Sequence, residues 1–140
     1  MEFSIGSPDE LFDWETVSED YWGLQINEGS FLEIWANVTK WATDKHNRKL
    51  REMVKRHDWK NFGYQAIVNA AYLSDKNYVW VPAGILQGPF FSSSQLTAMN
   101  FGGLGFVFGH EITHAFDTRG SQFDKQGNLK EWWEPETKAR

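Results

Sequence analysis

The sequence is organised around the stretch GHEITH at residues 109–114, which contains a His-x-x-x-His pair with a glutamate after the first histidine. Two histidines four residues apart on a helix lie on the same face, one above the other. His110 and His114 can therefore bring two imidazole nitrogens to one zinc ion, at about 2.0–2.1 Å each. Glu111 would project beside the metal, where its carboxylate can act as general base on a zinc-bound water.

The residues around this motif are strongly apolar, which predicts a buried helix over about residues 101–118. Buried polar side chains need hydrogen-bond partners, so the histidines and the glutamate could also be ordinary core groups. The glutamate between the two histidines favours a metal site over that alternative. Gly102, Gly103 and Gly105 each cost a helix up to ~1 kcal/mol relative to alanine, which indicates close packing of the helix backbone against another element.

Composition and charge narrow the classes of function. The 140 residues carry a formal net charge of −5, which argues against a nucleic-acid-binding protein. The basic cluster at residues 45–56 has helical spacing and is interpreted as a solvated helix face. The chain has no cysteine, so it offers neither a disulfide nor a thiolate ligand. No signal peptide is visible, and no run approaches the ~18–20 apolar residues of a membrane span.

The first half of the chain predicts helices that serve as scaffold. A helix start is predicted at residues 7–8, where a serine precedes a proline. Ser30 and Glu33 have the form of a capping box, and apolar residues at helical spacing extend the helix after it to about Thr43. A second helix is predicted over residues 47–57.

Two antiparallel strands are predicted in the middle of the chain, at about residues 66–72 and 77–82. Both stretches are rich in β-branched and aromatic residues, and turn-like residues separate them. Pro82 is expected to end the second strand, because proline has no N–H to donate to a sheet. With the predicted helices, this strand pair indicates an α+β fold that is mostly helical.

Longer motifs occur in an order that is typical of one peptidase family. The chain contains VNAAY at 68–72, VPAGILQ at 81–87 and NFGG at 100–103, followed by the histidine motif at 109–114. Further matching residues continue in register after it, namely FD at 116–117, Gly120, FD at 123–124, GNL at 127–129 and WW at 132–133. Over nearly its whole length, the chain resembles the neprilysin and endothelin-converting enzyme family of zinc metallopeptidases.

The resemblance implies an architecture. The chain would be a fragment of a thermolysin-like catalytic domain, with the small strand pair next to the zinc-binding helix. Residues 1–60 would be a helical scaffold segment of the peptidase. Residues 61–140 would be the N-terminal part of the catalytic domain, truncated before the third zinc ligand.

The resemblance also implies roles for individual residues. His110 and His114 would bind the single zinc ion of the active site, and Glu111 would be the catalytic base. Asn69 and Ala70 would bind the backbone of the substrate. This agrees with the predicted strands, because an extended peptide can add to the edge of a sheet through main-chain hydrogen bonds.

The third zinc ligand of the family comes from a glutamate in an ENxxD motif downstream, and these 140 residues contain no such motif. Asp117 lies at i+7 from His110, about 10.5 Å along the helix axis, so its short side chain cannot reach the metal. It is better placed to accept from the outer ring nitrogen of His114 or to pair with Arg119. Four later carboxylates could fold back only in an arrangement that the family does not use: Asp124, Glu131, Glu134 and Glu136.

Two functions of different class follow. The first is a zinc metalloendopeptidase that cleaves small peptides before hydrophobic residues, of which this chain is a truncated part that is inactive alone. Its partners would be peptide substrates and the remainder of the catalytic domain, and nucleic acid would not be one of them. The alternative is a catalytically inactive product that binds peptide or metal.

A cellular location is implied by the family as well. Its members are mostly type II membrane proteins that face the outside of the cell, or are secreted. Membrane attachment is therefore expected only through an upstream anchor that this chain does not contain. In that location Asn37, which begins the sequon NVT, could carry a glycan.

Overall fold

The computed structural model describes residues 1–26, 28–55 and 65–138 of the chain. These residues form two compact units: a sheet unit, which joins Met1–Ser7 to His57–Arg140, and a helical unit, Pro8–Arg56. Within the described ranges, no helix combines the length and the apolar character needed to cross a membrane. The division at residue 60 between scaffold segment and catalytic domain concerns the whole enzyme and stays a prediction.

The helical unit begins with two short helical segments. A 3-10 turn spans Asp9–Phe12, and the first α-helix, α1, spans Trp14–Asp20. The helix start predicted at residues 7–8 is therefore found one residue later, as a 3-10 turn rather than as the first turn of an α-helix. No side chain caps the 3-10 turn, whereas the carboxylate of Asp13 accepts hydrogen bonds from two N–H groups in the first turn of α1.

The second helix, α2, spans Phe31–Arg48 and starts at the predicted capping box. The Ser30 N–H donates to the Glu33 carboxylate at 2.8 Å, and the Glu33 N–H donates to the Ser30 hydroxyl. The predicted end at Thr43 and the separate helix over 47–57 are wrong. The chain continues α2 and then forms a 3-10 turn at Lys49–Arg51, with no helix in 52–55; residues 56–57 lie outside the described ranges.

Tertiary contacts explain why α2 is longer than its apolar pattern. The ammonium group of Lys45 lies 2.6 Å from a carboxylate oxygen of Asp20 at the end of α1. It also lies 4.9 Å from the centre of the Trp41 ring, which stacks on Tyr21. These contacts join the two helices through polar residues that an apolar periodicity does not detect.

The sheet has three strands in the order β1-β3-β2, with β3 in the middle. Strands β2 (Ala71–Leu73) and β3 (Tyr78–Val81) are antiparallel, as predicted, and β3 ends at Pro82. Strand β1 (Glu2–Ile5) pairs parallel to β3 and was not predicted. Its partner lies more than seventy residues away in the sequence, and four residues of alternating polar and apolar type are too short a stretch to predict a strand.

The first predicted strand is too long, because residues 66–70 are not in the sheet. This segment packs on the 3-10 turn Ala83–Ile85 instead, where the Gly84 N–H donates to the Gln65 carbonyl at 2.8 Å. The carbonyls of Ala66 and Ile67 lie so close to Gly84 that any Cβ there would collide with them.

The motif helix is continuous over 97–113 but changes its winding. It consists of α3 (Thr97–Asn100), a π-helical stretch at Phe101–Gly105 and α4 (Phe106–Thr113). It ends at Thr113, with His114 as the C-cap, rather than near residue 118 as predicted. The expected close packing is found at one of the three glycines: a Cβ at Gly103 would lie 2.6 Å from the Phe90 carbonyl oxygen.

Among the described residues, the core of the sheet unit covers one face of this helix. Buried residues of the strands and the following turn pack against the helix through partly buried side chains, namely Leu104, Val107 and Phe108. The prediction of a buried helix is therefore wrong for its other face. Phe101 and Phe106 remain 73% and 72% exposed, and Glu111 is the buried residue of α4.

We expect Gly103→Ala to lower the melting temperature of the sheet unit and Gly102→Ala to leave it unchanged or slightly raised. A Cβ at Gly103 meets the Phe90 backbone, whereas nothing lies within 4 Å of one at Gly102. Alanine otherwise favours a helix over glycine by up to ~1 kcal/mol, so the two variants should differ in sign. Thermal unfolding followed by circular dichroism measures both, and equal shifts would contradict the close approach.

We expect Ser30→Ala to destabilise α2 by about 1 kcal/mol, the usual cost of losing a serine cap. Hydrogen bonds from the Ser30 backbone N–H and hydroxyl lower the pKa of Glu33 below its ordinary value of 4.5. The part of the stabilisation that depends on the ionised Glu33 carboxylate is therefore complete above pH 4.5 and is lost as the pH falls through the lowered folded-state pKa of Glu33. An acid titration of the far-ultraviolet circular dichroism should show this loss in the parent chain and a weaker one in Ser30→Ala.

Candidate metal centre

The last turn of α4 brings the two histidines of the motif together. The Nε2 atoms of His110 and His114 lie 3.1 Å apart, with the rings edge to face. The helical hydrogen bond from the His114 N–H to the His110 carbonyl is retained, at 3.3 Å. Thr113 donates its hydroxyl to the Gly109 carbonyl at 2.7 Å within the same turn. Both imidazoles are thus positioned by regular helix geometry, as the four-residue spacing predicts.

This pair of nitrogens fits a tetrahedral metal ion. Two nitrogens at 2.0–2.1 Å from a tetrahedral zinc ion should be about 3.3 Å apart, close to the observed separation. One donor atom each of His110, Glu111 and His114 lie within 4.8 Å of one another. The chemistry of this donor set, two imidazoles with an adjacent carboxylate, suits a divalent transition metal.

Glu111 differs from the two histidines in burial. It is 6% exposed and lies on the side of α4 that faces the core, whereas His110 is exposed. An ionised carboxylate in such a place needs hydrogen-bond or ionic partners. A buried carboxylate beside two imidazole nitrogens is suited to exchange protons with a water molecule held at the same place.

Asp117 lies in the turn that follows α4 and contacts His114. Its Oδ2 atom is 2.7 Å from Nδ1 of His114, and its Oδ1 atom accepts from the backbone N–H groups of Arg119 and Gly120, both at 2.8 Å. Of the two partners expected from the sequence, His114 is contacted through its ring and Arg119 through its backbone. The Nδ1 atom of His114 can thus carry the proton while Nε2 keeps a free electron pair for a metal.

These hydrogen bonds keep the Asp117 carboxylate ionised. The Gly120 backbone N–H, then the His114 side chain and the Arg119 backbone N–H, lower its pKa from 3.8 to about 2. A carboxylate that is ionised at neutral pH is an acceptor only, so its contact with the His114 ring requires the proton to be on Nδ1.

Sequence reasoning matched Gly120 to the family pattern but assigned it no role, and it did not identify the backbone of Arg119. The available signal was the spacing Asp-x-x-Gly, since an aspartate side chain often accepts from backbone N–H groups two and three residues later. That pattern is common, and the motif GHEITH gave no reason to extend the site beyond Asp117.

The two predicted substrate-binding residues lie just before the edge strand β2. Asn69 is exposed, whereas Ala70 is 5% exposed and belongs to the core. Strand β2 lies at one edge of the sheet and is close to α4 in space. The structure therefore places an exposed asparagine and a sheet edge on the same unit as the histidine pair.

The later carboxylates do not join this centre among the described residues. The Asp124 carboxylate accepts from the backbone N–H groups of Gln126 and Asn128, at 2.9 and 3.0 Å, and so closes a tight hairpin. Glu131, Glu134 and Glu136 are exposed. None of the four belongs to the group formed by His110, Glu111 and His114 in the described part of the chain.

Comparisons with known proteins agree with this geometry. The model of peptidase family M13 matches residues 69–140. The chain is 45% identical over 137 residues to Neprilysin-2 of Drosophila melanogaster and 42% identical over 130 residues to neprilysin of Homo sapiens. These alignments cover 98% and 92% of this chain but 18% and 17% of those proteins.

Solved structures show the same fold. A crystal structure of PepO from Lactobacillus rhamnosis matches 98% of this chain and 21% of its own, with a TM-score of 0.77 and 33% identity. The zinc metalloprotease Zmp1 of Mycobacterium tuberculosis, in complex with an inhibitor, matches 76% of this chain and 16% of its own, with a TM-score of 0.66 and 38% identity. The chain spans less than a quarter of the length of these relatives. The expected family and α+β fold are confirmed, and the chain belongs to peptidase family M13.

Proposed function

We propose that this chain is the part of a zinc-dependent metalloendopeptidase that contains two metal ligands and the general base. The separation of 3.1 Å between the Nε2 atoms of His110 and His114 is the observation that carries this proposal. Membership of a peptidase family and likeness to a protein named a zinc metalloprotease support it.

Each side chain of the centre has a distinct task in this proposal. His110 and His114 hold the ion through Nε2, and Asp117 holds the proton on Nδ1 of His114. Zinc, when bound, supplies a Lewis acid that polarises the scissile carbonyl and makes water a stronger acid. Glu111 accepts a proton from the attacking water and delivers one to the leaving amine. Its burial excludes bulk water and so strengthens these proton transfers.

The sheet edge positions the substrate. An extended peptide can pair with β2 through main-chain hydrogen bonds, and the exposed Asn69 can add side-chain hydrogen bonds to the peptide backbone. Ala70 contributes through its backbone, because its side chain is buried in the core. This arrangement orients a peptide bond beside the histidines. Small peptides cleaved before hydrophobic residues are the substrates that the family resemblance favours.

In this proposal the remaining ligand comes from outside these 140 residues, because the described residues bring only Glu111 together with the two histidines. Catalytic zinc sites use three protein ligands and an open position, and this chain offers two histidines with a glutamate that serves as base. The third ligand would be a glutamate in an ENxxD motif. The alternative product, which binds peptide or metal without catalysis, would lack it. The transcript beyond codon 140 separates the two, because an in-frame ENxxD motif supports the peptidase and a stop codon supports the alternative.

The location proposed for the parent enzyme is the outer face of the cell or the secreted fraction. One human relative is named membrane metallo-endopeptidase-like 1, which supports attachment to a membrane through an upstream anchor. Asn37 is exposed on α2, so the sequon is accessible on the helical unit. Peptides are the proposed partners, and the net charge of −5 does not favour nucleic acid.

We expect Glu111→Gln to abolish peptide hydrolysis in the full-length enzyme and to leave its zinc content near one ion per chain. Glutamine has the same shape but cannot accept the proton. His110→Ala and His114→Ala should remove zinc and activity together, because each deletes a ligand. Zinc content is measured by elemental analysis and activity with a hydrophobic peptide. Full zinc content in the histidine variants would refute the ligand assignment.

We expect Asn69→Ala to lower kcat/KM by about tenfold, the effect of losing roughly 1.4 kcal/mol of hydrogen bonding to the peptide. Zinc content should not change, because the side chain is not a ligand. Asn47→Ala alters an exposed asparagine of the helical unit and is the matched control. Equal kinetic effects in the two variants would remove Asn69 from the substrate site.

A further inference from the structure

We propose that Gly120 is a positioning residue for the metal centre, because the turn that it closes holds Asp117 against His114. The inference rests on the proposed function of the histidine pair as metal ligands. It concerns the tight return of the chain directly after α4, over residues 114–121. Here the Ser121 N–H donates to the Asp117 carbonyl at 3.0 Å, so the backbone of the turn closes on itself.

The two oxygens of Asp117 are divided between the turn and the ligand. Oδ1 accepts from the N–H groups of Arg119 and Gly120, both at 2.8 Å, and Oδ2 lies 2.7 Å from Nδ1 of His114. Two donors on one oxygen restrict rotation of the carboxylate and aim the other oxygen at the imidazole. The orientation of the His114 ring therefore depends on the path of the backbone at residues 119–120.

A side chain at position 120 is incompatible with that path. Gly120 is buried, and a Cβ added to it would collide with the carbonyl oxygen of His114 and lie 2.9 Å from Ala115 backbone atoms. These are backbone atoms, so no change of rotamer can relieve the contact. Either the end of α4 that carries His114 or the N–H groups bonded to Asp117 must move.

Either movement acts on the metal ligand. A shift of the His114 backbone changes the separation of 3.1 Å between the two Nε2 atoms. A shift of the turn releases the Asp117 carboxylate, which then no longer holds the proton on Nδ1 of the His114 ring. Groups that orient a metal-binding histidine in this way typically contribute 10–100-fold in metal affinity.

The turn is also held from its far side, which limits how far it can adjust. The indole N–H of Trp133 donates to the Ser121 carbonyl at 2.9 Å. The Lys130 N–H donates to the Gln122 carbonyl at 2.8 Å. With the far side of the turn restrained, the strain from a Cβ at position 120 falls on the segment between Asp117 and His114.

The test is the zinc dissociation constant of the full-length protein, measured by competition with a chelator. We expect Gly120→Ala to weaken zinc binding about tenfold or more. Gly127→Ala, in the hairpin closed by Asp124, is the matched control. Gly127 has a φ of +77°, and a Cβ there would collide with the Asp75 backbone. This variant should lower the melting temperature comparably without changing zinc affinity. Equal losses of affinity in the two variants would overturn the inference.

A double-mutant cycle tests whether Gly120 acts through Asp117. Asp117→Ala alone should weaken zinc binding, and the double variant Asp117→Ala, Gly120→Ala should bind zinc only slightly more weakly than Asp117→Ala. Fully additive losses would contradict the mechanism. If Gly120→Ala does not fold, amide hydrogen exchange at residues 119 and 120 is measured instead. Exchange should be faster in Asp117→Ala than in the parent. Unchanged rates would refute the role of Asp117 as acceptor for these two N–H groups. A parent protein that binds no zinc would refute the proposed function itself.

Discussion

The packing of β3 against one face of the motif helix is the interaction on which the rest of the sheet unit depends. Val79 and Val81 are fully buried, and their side of the sheet meets Leu104, Val107 and Phe108 of the helix. This contact fixes the rotation of α4 about its own axis. Glu111 is then directed to the protein side and the histidine pair to the accessible side, since residues one apart on a helix differ by about 100°. Glu111 is thus buried while His110 is exposed and His114 is partly exposed.

The same contact requires an unusually close approach of backbones. The Leu104 N–H donates to the Phe90 carbonyl at 3.0 Å, next to Gly103, where a Cβ would be too close. The helix winds as a π-helix over this stretch, and such segments frequently occur at functional sites. A second close approach occurs at Gly120, beyond the other end of α4. The candidate metal centre therefore lies between two glycines at which the backbone leaves no room for a side chain.

Part of the fold and of the site could be predicted from residues that are close in the sequence. The capping box of Ser30 and Glu33, the turn between β2 and β3 and the pairing of His110 with His114 are all local, so spacing alone specifies them. Strand β1 could not be predicted, because its pairing with β3 joins distant parts of the chain. The length of α2 was missed because Lys45 is held by contacts with α1 rather than by an apolar pattern. The burial of α4 was overestimated because an apolar side chain can be buried but does not have to be. The described core covers one face of the helix.

The sequence by itself determined the family, the two histidines with their glutamate, and the absence of an ENxxD motif in these residues, because each depends on residue identity and spacing along one helix or motif. Only the tertiary structure decided that Glu111 is buried while His110 is exposed, and that Asp117 meets His114 with one oxygen and two backbone N–H groups with the other. Burial depends on which helix face the sheet covers. The contacts of Asp117 depend on a tight turn that has no room for a side chain at Gly120. Neither the burial of Glu111 nor these contacts are encoded by spacing alone.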